Sequence, residues 1–85
     1  MVYFTYILYS AAIDKYYIGH TEAIDRRISE HNLRKNLGAS DWVLKYKEEF
    51  QTRSDAMKRE LEIKKKKRRT YIEWLINSNQ PSLPG

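Results

Sequence analysis

The chain has 85 residues, of which 41% are hydrophobic and 13% aromatic, so it can build one small core but not a separate substrate-binding module beside it. It contains no cysteine, which excludes disulfide bonds and thiolate metal sites and leaves carboxylate, imidazole, carbonyl or water ligands for any ion. The net charge of +5 favours a polyanionic partner, and with no apolar run near the roughly 20 residues that span a bilayer we expect a cytoplasmic protein without a membrane partner.

The first half of the chain predicts a β-hairpin followed by a helix. Residues 2–9 and 16–18 are rich in β-branched and aromatic side chains and are separated by a short segment, as in two paired strands. Thr21 can cap a helix that we place at about residues 22–32. Two apolar residues one turn apart predict the buried face of that helix: Ile24 and Ile28.

A third strand is predicted at residues 42–50, after a loop that contains Gly38. Its side chains alternate loosely between apolar and other types, so we expect Trp42, Leu44 and Tyr46 to share one face of the strand. Such an alternation is typical of a strand that buries one face against a core.

Two further helices are predicted in the last third of the chain. Thr52 with Asp55 resembles a capping box, and the helix that follows should run to about Lys66. Thr70 with Glu73 repeats this start signal for a short last helix. The expected apolar positions are Met57 and Leu61 in the first of these helices and Ile72, Leu75 and Ile76 in the second.

The order of predicted elements is β-β-α-β-α-α. We therefore expect an α/β (α+β) fold, in which a three-stranded antiparallel sheet is flanked by helices. Residues 1–78 should form a single domain, and residues 79–85, which include two prolines and several small polar residues, should be a disordered tail.

Five positions along this order resemble the GIY-YIG nuclease family. Tyr6 ends the segment Phe4-Thr5-Tyr6, and Tyr17 begins the segment Tyr17-Ile18-Gly19, with ten residues between the two tyrosines. Arg27 and His31 follow on the first predicted helix, and Glu60 lies in an Ala-x-x-x-Glu stretch of the next. The first motif keeps only its tyrosine, since Phe4 and Thr5 replace Gly-Ile. The likeness spans about residues 3–77 and is greatest to small stand-alone bacterial members, which are similar to the nuclease domain of the bacterial repair excinuclease.

The resemblance implies a small GIY-YIG nuclease fold and a division of roles among these residues. Tyr6 would take a proton from the attacking water, directly or through His31, while Tyr17 would orient the scissile phosphate. Glu60 would hold Mg²⁺ or Mn²⁺, and no small-molecule cofactor is expected. Asn77 lies where some family members place an asparagine near the active site, although it also falls at a helix end.

The residue types suit this chemistry without reference to the family. Tyr6 and Tyr17 can share one face of a hairpin, and Arg27 and His31, one helical turn apart, can reach the same cleft. A guanidinium makes planar bidentate contacts to phosphate oxygens, and a single carboxylate at Glu60 suits Mg²⁺, which keeps several waters. Because a free tyrosine has a pKa near ~10, we expect neighbouring cations to lower the pKa of Tyr6, or His31 to relay the proton.

Gly19 and His20, which follow the second tyrosine, are candidate nucleic-acid contacts. Gly19 would let backbone approach the substrate where a Cβ would obstruct it. His20 would touch phosphate, or else be an ordinary loop residue.

Each candidate also has an ordinary structural interpretation. Tyr6 and Tyr17 are compatible with half-buried strand tyrosines, and Arg27 with a solvated helix arginine. Glu60 is compatible with an i, i+4 partner of Lys64, and a histidine at position 31 with one that complements a helix dipole. Only the joint placement of these residues favours a nuclease.

A run of six cations follows Glu60: Lys64, Lys65, Lys66, Lys67, Arg68 and Arg69. It is compatible with a solvated helix end, but adjacent cations repel one another unless an anion compensates them, so we favour contacts to the phosphate backbone. The sequence predicts a Mg²⁺-dependent DNA endonuclease, structure- or repair-related and of low sequence selectivity. An inactive nucleic-acid-binding module of the same fold and a basic protein-interaction adaptor are the alternatives. The oligomeric state is not predicted.

Overall fold

A computed structural model describes residues 1–66 and 68–78, and the predicted tail, 79–85, lies outside these. The strands are β1 (Tyr3–Ser10), β2 (Lys15–Thr21) and β3 (Val43–Phe50), and the helices are α1 (Ile24–Leu33), α2 (Arg53–Lys66) and α3 (Arg69–Ser78). A short 3-10 turn, Asn36–Gly38, separates α1 from β3. The strands form one antiparallel sheet in the order β2-β1-β3. The predicted class and element order are confirmed, and the single domain over residues 1–78 stays a prediction.

The central strand β1 buries both of its faces. Side chains of a strand alternate between faces, and accordingly Tyr6 and Leu8 belong to one cluster while Ile7 belongs to the other. On the first face the cluster includes Trp42 and is covered by α1 through the partly buried residues Ile24 and Ile28, as predicted. The buried residues of the second face are Ile7, Tyr46, Ile63 and Leu75, which come from β1, β3, α2 and α3.

A β-bulge in β3 overturns one expectation about the sheet. Ile7 pairs with Tyr46 but Leu8 pairs with Leu44, so Lys45 is an extra residue opposite β1. The bulge shifts the alternation by one position. Leu44 therefore packs with Leu8 on the α1 face, whereas Tyr46 packs with Ile7 on the opposite face. The prediction that Tyr46 shares a face with Trp42 and Leu44 was wrong.

Helix α2 begins as predicted but buries different residues. The hydroxyl oxygen of Thr52 accepts a hydrogen bond of 3.1 Å from the backbone N–H of Asp55, and the helix ends at Lys66. Met57 and Leu61, the apolar i, i+4 pair of the sequence, are 44% and 56% exposed and do not form the buried face of the helix. The buried residues are Ala56, whose carbonyl accepts a 2.7 Å hydrogen bond from the Thr5 hydroxyl, and Ile63, which packs in the cluster with Ile7.

The other helix ends differ slightly from the sequence expectations. The N-cap of α1 is Ala23, without a side-chain cap, and the Thr21 hydroxyl instead accepts a 3.1 Å hydrogen bond from the Ala23 N–H, so Thr21 is not the N-cap. Helix α3 begins one residue before Thr70. Its Leu75 is buried as predicted. None of the helices that the structure describes is long and apolar enough to cross a membrane.

Candidate active site

Tyr6 and Tyr17 lie on the same face of the hairpin, as predicted. Tyr6 pairs with Gly19 and Tyr17 pairs with Leu8, so the tyrosines are diagonal neighbours across β1 and β2. Their ring centroids are 6.4 Å apart. Their surroundings differ, because Tyr6 is only 1% exposed whereas Tyr17 is half-buried. Tyr17 is therefore the tyrosine that can meet a ligand without rearrangement.

Gly19 makes room for the Tyr6 side chain. A Cβ at this position would lie 2.6 Å from Tyr6 Oη and 2.9 Å from Tyr6 Cζ, closer than non-bonded atoms approach. The space that the sequence analysis assigned to nucleic acid is thus filled by the Tyr6 hydroxyl, and the glycine itself is buried. The structure corrects the reason for a glycine here, and its contact with nucleic acid stays a prediction.

His31 is held between the two tyrosines. It lies buried on α1, and its Nε2 is 3.2 Å from Tyr6 Oη, within hydrogen-bond distance. Its ring centroid is 4.5 Å from that of Tyr17 in an edge-on arrangement. Burial, together with the positive charge of Arg27, lowers the pKa of His31 below its ordinary value. The imidazole is therefore neutral near pH 7 and has one ring nitrogen free of a proton.

The pKa of Tyr6 moves in the direction opposite to the one expected. Burial raises it to about 12, and the hydrogen bond and charge of Arg27 only partly oppose that rise. The expectation that neighbouring cations would lower this pKa was wrong, because removing the hydroxyl from water penalises the phenolate more than the guanidinium stabilises it. The other predicted route, relay of the proton through His31, is compatible with the hydrogen bond between them.

Arg27 and His31 reach one cleft, as predicted. The cleft has a volume of about 120 Å³, several times the roughly 30 Å³ share of one water. Its lining residues are Tyr17, Arg27, Glu30, His31, Arg34 and Asn36. Arg27 Nη1 donates a 3.0 Å hydrogen bond to Glu30 Oε1, so the guanidinium is already oriented by a neighbour on the same helix. The cleft thus combines two arginines with a neutral imidazole.

Three residues of this lining were not predicted from the sequence. Arg34 follows Arg27 and His31 at the i, i+4, i+7 spacing of one helix face, so the helical periodicity could have identified it. Glu30 could have been identified as the i, i+3 partner of Arg27. Asn36 lies in an irregular turn after the left-handed Lys35, which no pattern predicts. Its Nδ2 is buried without a hydrogen-bond partner among the described residues, so a donor is available at the cleft.

Glu60 lies on α2 and is contacted by two basic side chains. Its Oε1 is 2.6 Å from His20 Nδ1, and its Oε2 accepts a 2.5 Å hydrogen bond from Lys64 Nζ. Burial opposes ionisation, yet the hydrogen bonds from His20 and Lys64 hold the pKa of Glu60 below its ordinary value. Glu60 lies outside the cleft lining, but its charge acts on Tyr6. His20 is a strand residue of β2 paired with Thr5, so the loop interpretation of His20 was wrong.

The donor set fits a weakly held hard cation better than a dedicated metal cage. Within residues 1–66 and 68–78, no group of three or more histidines and carboxylates is placed to hold a metal ion. A single ionised carboxylate agrees with Mg²⁺, which usually takes one or two carboxylates and completes its shell with waters and substrate oxygens. Each oxygen of Glu60 already accepts one hydrogen bond, so a cation would bind at the remaining lone pairs or in place of Lys64 or His20.

The six consecutive cations span the α2–α3 junction and are partly compensated by the protein itself. Lys64 pairs with Glu60, and Arg69 contacts Asp14 and Glu73. The argument that this run needs an external anion was therefore wrong for Lys64 and Arg69. The exposed members of the run with no ion pair among the described residues are Lys65, Lys66 and Arg68. Lys67 lies outside the described residues.

Asn77 is not brought to the cleft. It is exposed near the end of α3, whose buried residue Leu75 packs into the cluster containing Ile7, on the opposite face of the sheet from Tyr6. A role for Asn77 beside the tyrosines would need a large movement of α3. Its proposed role has no support in the arrangement of these residues.

Comparison with known proteins identifies a family and a relative of this chain. A family model described as the GIY-YIG catalytic domain matches residues 2–73. A UPF0213 protein of Halobacterium salinarum is 38% identical over 53 residues, which cover 58% of this chain and 69% of that protein. No solved structure matches the chain significantly.

Proposed function

Because the chain belongs to the GIY-YIG catalytic domain family, a family of nuclease domains, we propose that it is a DNA endonuclease that depends on Mg²⁺ or Mn²⁺. The observation that carries the proposal is the cleft in which a neutral His31, bonded to Tyr6, lies beside the Arg27 guanidinium. This arrangement offers a proton acceptor and a fixed positive charge within one cleft. Phosphodiester hydrolysis requires both.

His31 is the group that first receives the proton of the attacking water. It lines the cleft, and its lowered pKa keeps a ring nitrogen available near pH 7. Tyr6 lies behind it, because the phenol is almost fully buried and keeps its proton below a pKa of about 12. The hydrogen bond between the two orients the imidazole ring: the N–H at Nε2 would donate to Tyr6 Oη, which leaves Nδ1 free to take the proton of the water. This arrangement favours His31, rather than Tyr6, as the base that takes that proton.

The remaining cleft residues suit the phosphate. Arg27 offers planar N–H donors to phosphate oxygens and stays charged at any relevant pH, provided that part of its contact with Glu30 is exchanged for substrate. Arg34 adds a second positive charge, and the unpartnered Nδ2 of Asn36 adds a neutral donor. Tyr17, half-buried at the same cleft, would orient the scissile phosphate.

Glu60 would hold the divalent cation. A bound Mg²⁺ or Mn²⁺ supplies charge neutralisation at the leaving 3′-oxygen. The lowered pKa of Glu60 keeps this carboxylate ionised near neutral pH, which is the form that binds a cation. His20 and Lys64 hold the carboxylate in position until the cation and substrate arrive.

DNA of low sequence selectivity is the substrate that we propose, in a structure- or repair-related role. The net charge of +5 supports phosphate binding. Sequence discrimination requires contacts to base edges in a groove, and the described elements are all used in the sheet, its covering helices and the cleft. This leaves no dedicated element for base recognition among the described residues.

One observation favours an inactive nucleic-acid-binding module instead. Both carboxylate oxygens of Glu60 are engaged by the protein's own His20 and Lys64. Nicking of supercoiled plasmid with Mg²⁺, with Mn²⁺ and with excess chelator separates the two functions. We expect nicks only with a divalent cation, and the same assay on branched and single-stranded DNA and on RNA would identify the preferred substrate. DNA binding without nicking under all metal conditions would contradict the proposal.

A further inference from the structure

The α2–α3 junction carries a groove that combines cations with aromatic rings. We call it the junction surface. It has a volume of about 580 Å³, and its lining residues are Lys65, Lys66, Arg68, Thr70, Tyr71 and Trp74. It is distinct from the cleft beside Tyr17, with which it shares no residue. The cleft accounts for the chemistry but for none of these side chains.

Trp74 is unusually exposed for its size. It is 60% exposed, whereas the other tryptophan, Trp42, is 2% exposed in the core. Helix α3 buries its Leu75 face against the sheet, which leaves Trp74 pointing away from that cluster. Tyr71, one turn earlier, stacks against the indole with ring centroids 5.9 Å apart and planes 28° apart. The tyrosine therefore supports an indole that remains accessible to a flat ligand.

The charges around this indole are available to an anion. Lys65 and Arg68 are exposed and have no ion pair among the described residues. The ammonium of Lys66 lies 5.5 Å from the centroid of the Tyr71 ring, which is a cation–π distance that leaves its charge uncompensated. The carboxylate of Glu62, in a neighbouring groove with Lys65, is held by Arg59. The junction surface is thus basic as well as aromatic.

We propose that the junction surface binds single-stranded nucleic acid, with an unpaired base stacked on Trp74 and the flanking phosphates on Lys65, Lys66 and Arg68. Cations that track a phosphate backbone beside an accessible aromatic ring form the combination that holds single strands. Duplex DNA fits less well, because its bases are already stacked and hide the faces that the indole needs. Phosphate contacts alone would explain the cations but not the exposed indole.

This inference rests on the proposed function and specifies its substrate. Lys65 follows Glu60 by five residues on α2, which is about 7.5 Å along the helix axis. Successive base pairs of a duplex are about 3.4 Å apart. Lys65 thus lies about two nucleotide spacings from the carboxylate that would hold the cation, and we infer that the preferred substrate carries unpaired nucleotides besides the cleaved bond.

Fluorescence titration in excess chelator tests binding separately from cleavage. The probes are a short oligothymidylate, the same strand with abasic sites in place of its bases, and an oligouridylate of equal length. We expect oligothymidylate to quench the fluorescence of exposed Trp74, and the abasic strand to bind more weakly at equal charge. Trp74→Ala should weaken oligothymidylate binding by between about 5-fold and 150-fold, the range for loss of one stacked base. Trp74→Phe should retain most of the affinity.

Leu33→Ala is the matched control, since Leu33 is an exposed apolar residue at the far end of α1 and should bind like the parent. Circular dichroism of each variant establishes that it is folded. Equal binding of the thymidylate and abasic strands, or of the parent and Trp74→Ala, would overturn the proposal. A parent dimer that Trp74→Ala dissociates would also overturn it, because a second copy would then cover the indole. If the parent binds oligothymidylate through Trp74 but does not nick plasmid, only the proposed nuclease function is overturned. Binding of the oligouridylate shows whether RNA uses the same surface.

Discussion

The cleft and the junction surface differ in the burial of their ionisable groups. In the cleft, Tyr6 and His31 are buried and bonded to each other, and burial shifts the pKa of each towards its neutral form. At the junction surface, Lys65 and Arg68 remain exposed to solvent. Buried, mutually oriented groups are suited to a chemical step that needs fixed geometry, whereas exposed cations are suited to screened attraction of a polyanion. The comparison assigns turnover to the cleft and affinity to the junction surface.

The largest effect is expected at Arg27. Arg27→Lys keeps the positive charge but loses the planar donor pair, so turnover should fall by about 100-fold to 1000-fold, as for other groups that stabilise transition-state charge. Single-turnover cleavage of a labelled duplex measures the change. Arg26→Lys is the matched control, because Arg26 is exposed on the neighbouring helix position and is absent from the cleft lining. If Arg27→Lys cleaved DNA as fast as the parent, the Arg27 guanidinium would have no specific role in the chemical step.

Glu60→Gln should lower cleavage by at least ~100-fold while DNA binding persists. The amide keeps the size of the side chain but loses the charge that would hold a divalent cation. Glu62→Gln, two residues later on the same helix and paired with Arg59, is the matched control and should cut normally. Both are measured by plasmid nicking over a range of Mg²⁺ concentrations. Unchanged nicking by Glu60→Gln would show that the cation is held elsewhere.

Gly19→Ala tests whether packing around Tyr6 explains the glycine. The new Cβ would lie 2.6 Å from Tyr6 Oη and 2.9 Å from Tyr6 Cζ, so overpacking should lower the free energy of unfolding by about 1–3 kcal/mol. In a Tyr6→Phe background the closest contact is removed and the cost should shrink. Urea unfolding of the four proteins in this cycle gives the coupling. A cost that is equal in both backgrounds would mean that the hydroxyl is not the obstacle.

The junction surface should be detected as a dependence of affinity on salt. Each phosphate contact on a single strand contributes a slope of about −0.7 to the logarithm of affinity against the logarithm of salt. Changing Lys65, Lys66 and Arg68 together to glutamine should therefore flatten the slope for single-stranded DNA by as much as about 2. The same charge change at Lys45, Lys47 and Lys58, which are exposed on β3 and α2, is the control. Equal slopes for the two triple variants would indicate that the six cations form a solvated helix end and do not contact phosphate.

The smallest effect is expected in the pH dependence of stability. The pKa of His31 lies below its ordinary value near 6.5, so the folded protein binds this proton less readily than the unfolded chain. This proton therefore costs no stability at a pH above the ordinary pKa. The free energy of unfolding decreases as the pH falls from the ordinary pKa towards the lower pKa of the folded state. Urea unfolding at several values between about pH 7 and pH 5 should show a steeper acid loss for the parent than for His31→Gln. If the free energy of unfolding fell equally with pH in the parent and in His31→Gln, a buried neutral imidazole at His31 would be contradicted.

The sequence was sufficient where short-range spacing decides the structure. The Thr52 cap of α2, the one-turn spacing of Arg27 and His31, and the same-face tyrosines are all local patterns, and the structure confirms them. Each depends on the periodicity of a single helix or hairpin. Such features need no knowledge of how distant elements meet.

The sequence was insufficient where tertiary packing overrides local patterns. The bulge at Lys45 moved Tyr46 to the opposite face, and the close approach of Ala56 to Thr5 left Met57 exposed. The pKa of Tyr6 depends on how completely the fold buries its hydroxyl, which nearby cations in the sequence do not reveal. The stacking of Tyr71 on Trp74 became visible only once the solvent-facing side of α3 was known.

Single-turnover cleavage measured against protein concentration tests the division between the two regions most directly, because one data set gives both the maximal rate and the concentration for half saturation. For Glu60→Gln we predict a rate at least ~100-fold lower with unchanged half saturation. For the glutamine triple variant at Lys65, Lys66 and Arg68 we predict an unchanged maximal rate with half saturation at higher protein concentration. A triple variant with a lower maximal rate and unchanged half saturation would contradict the account.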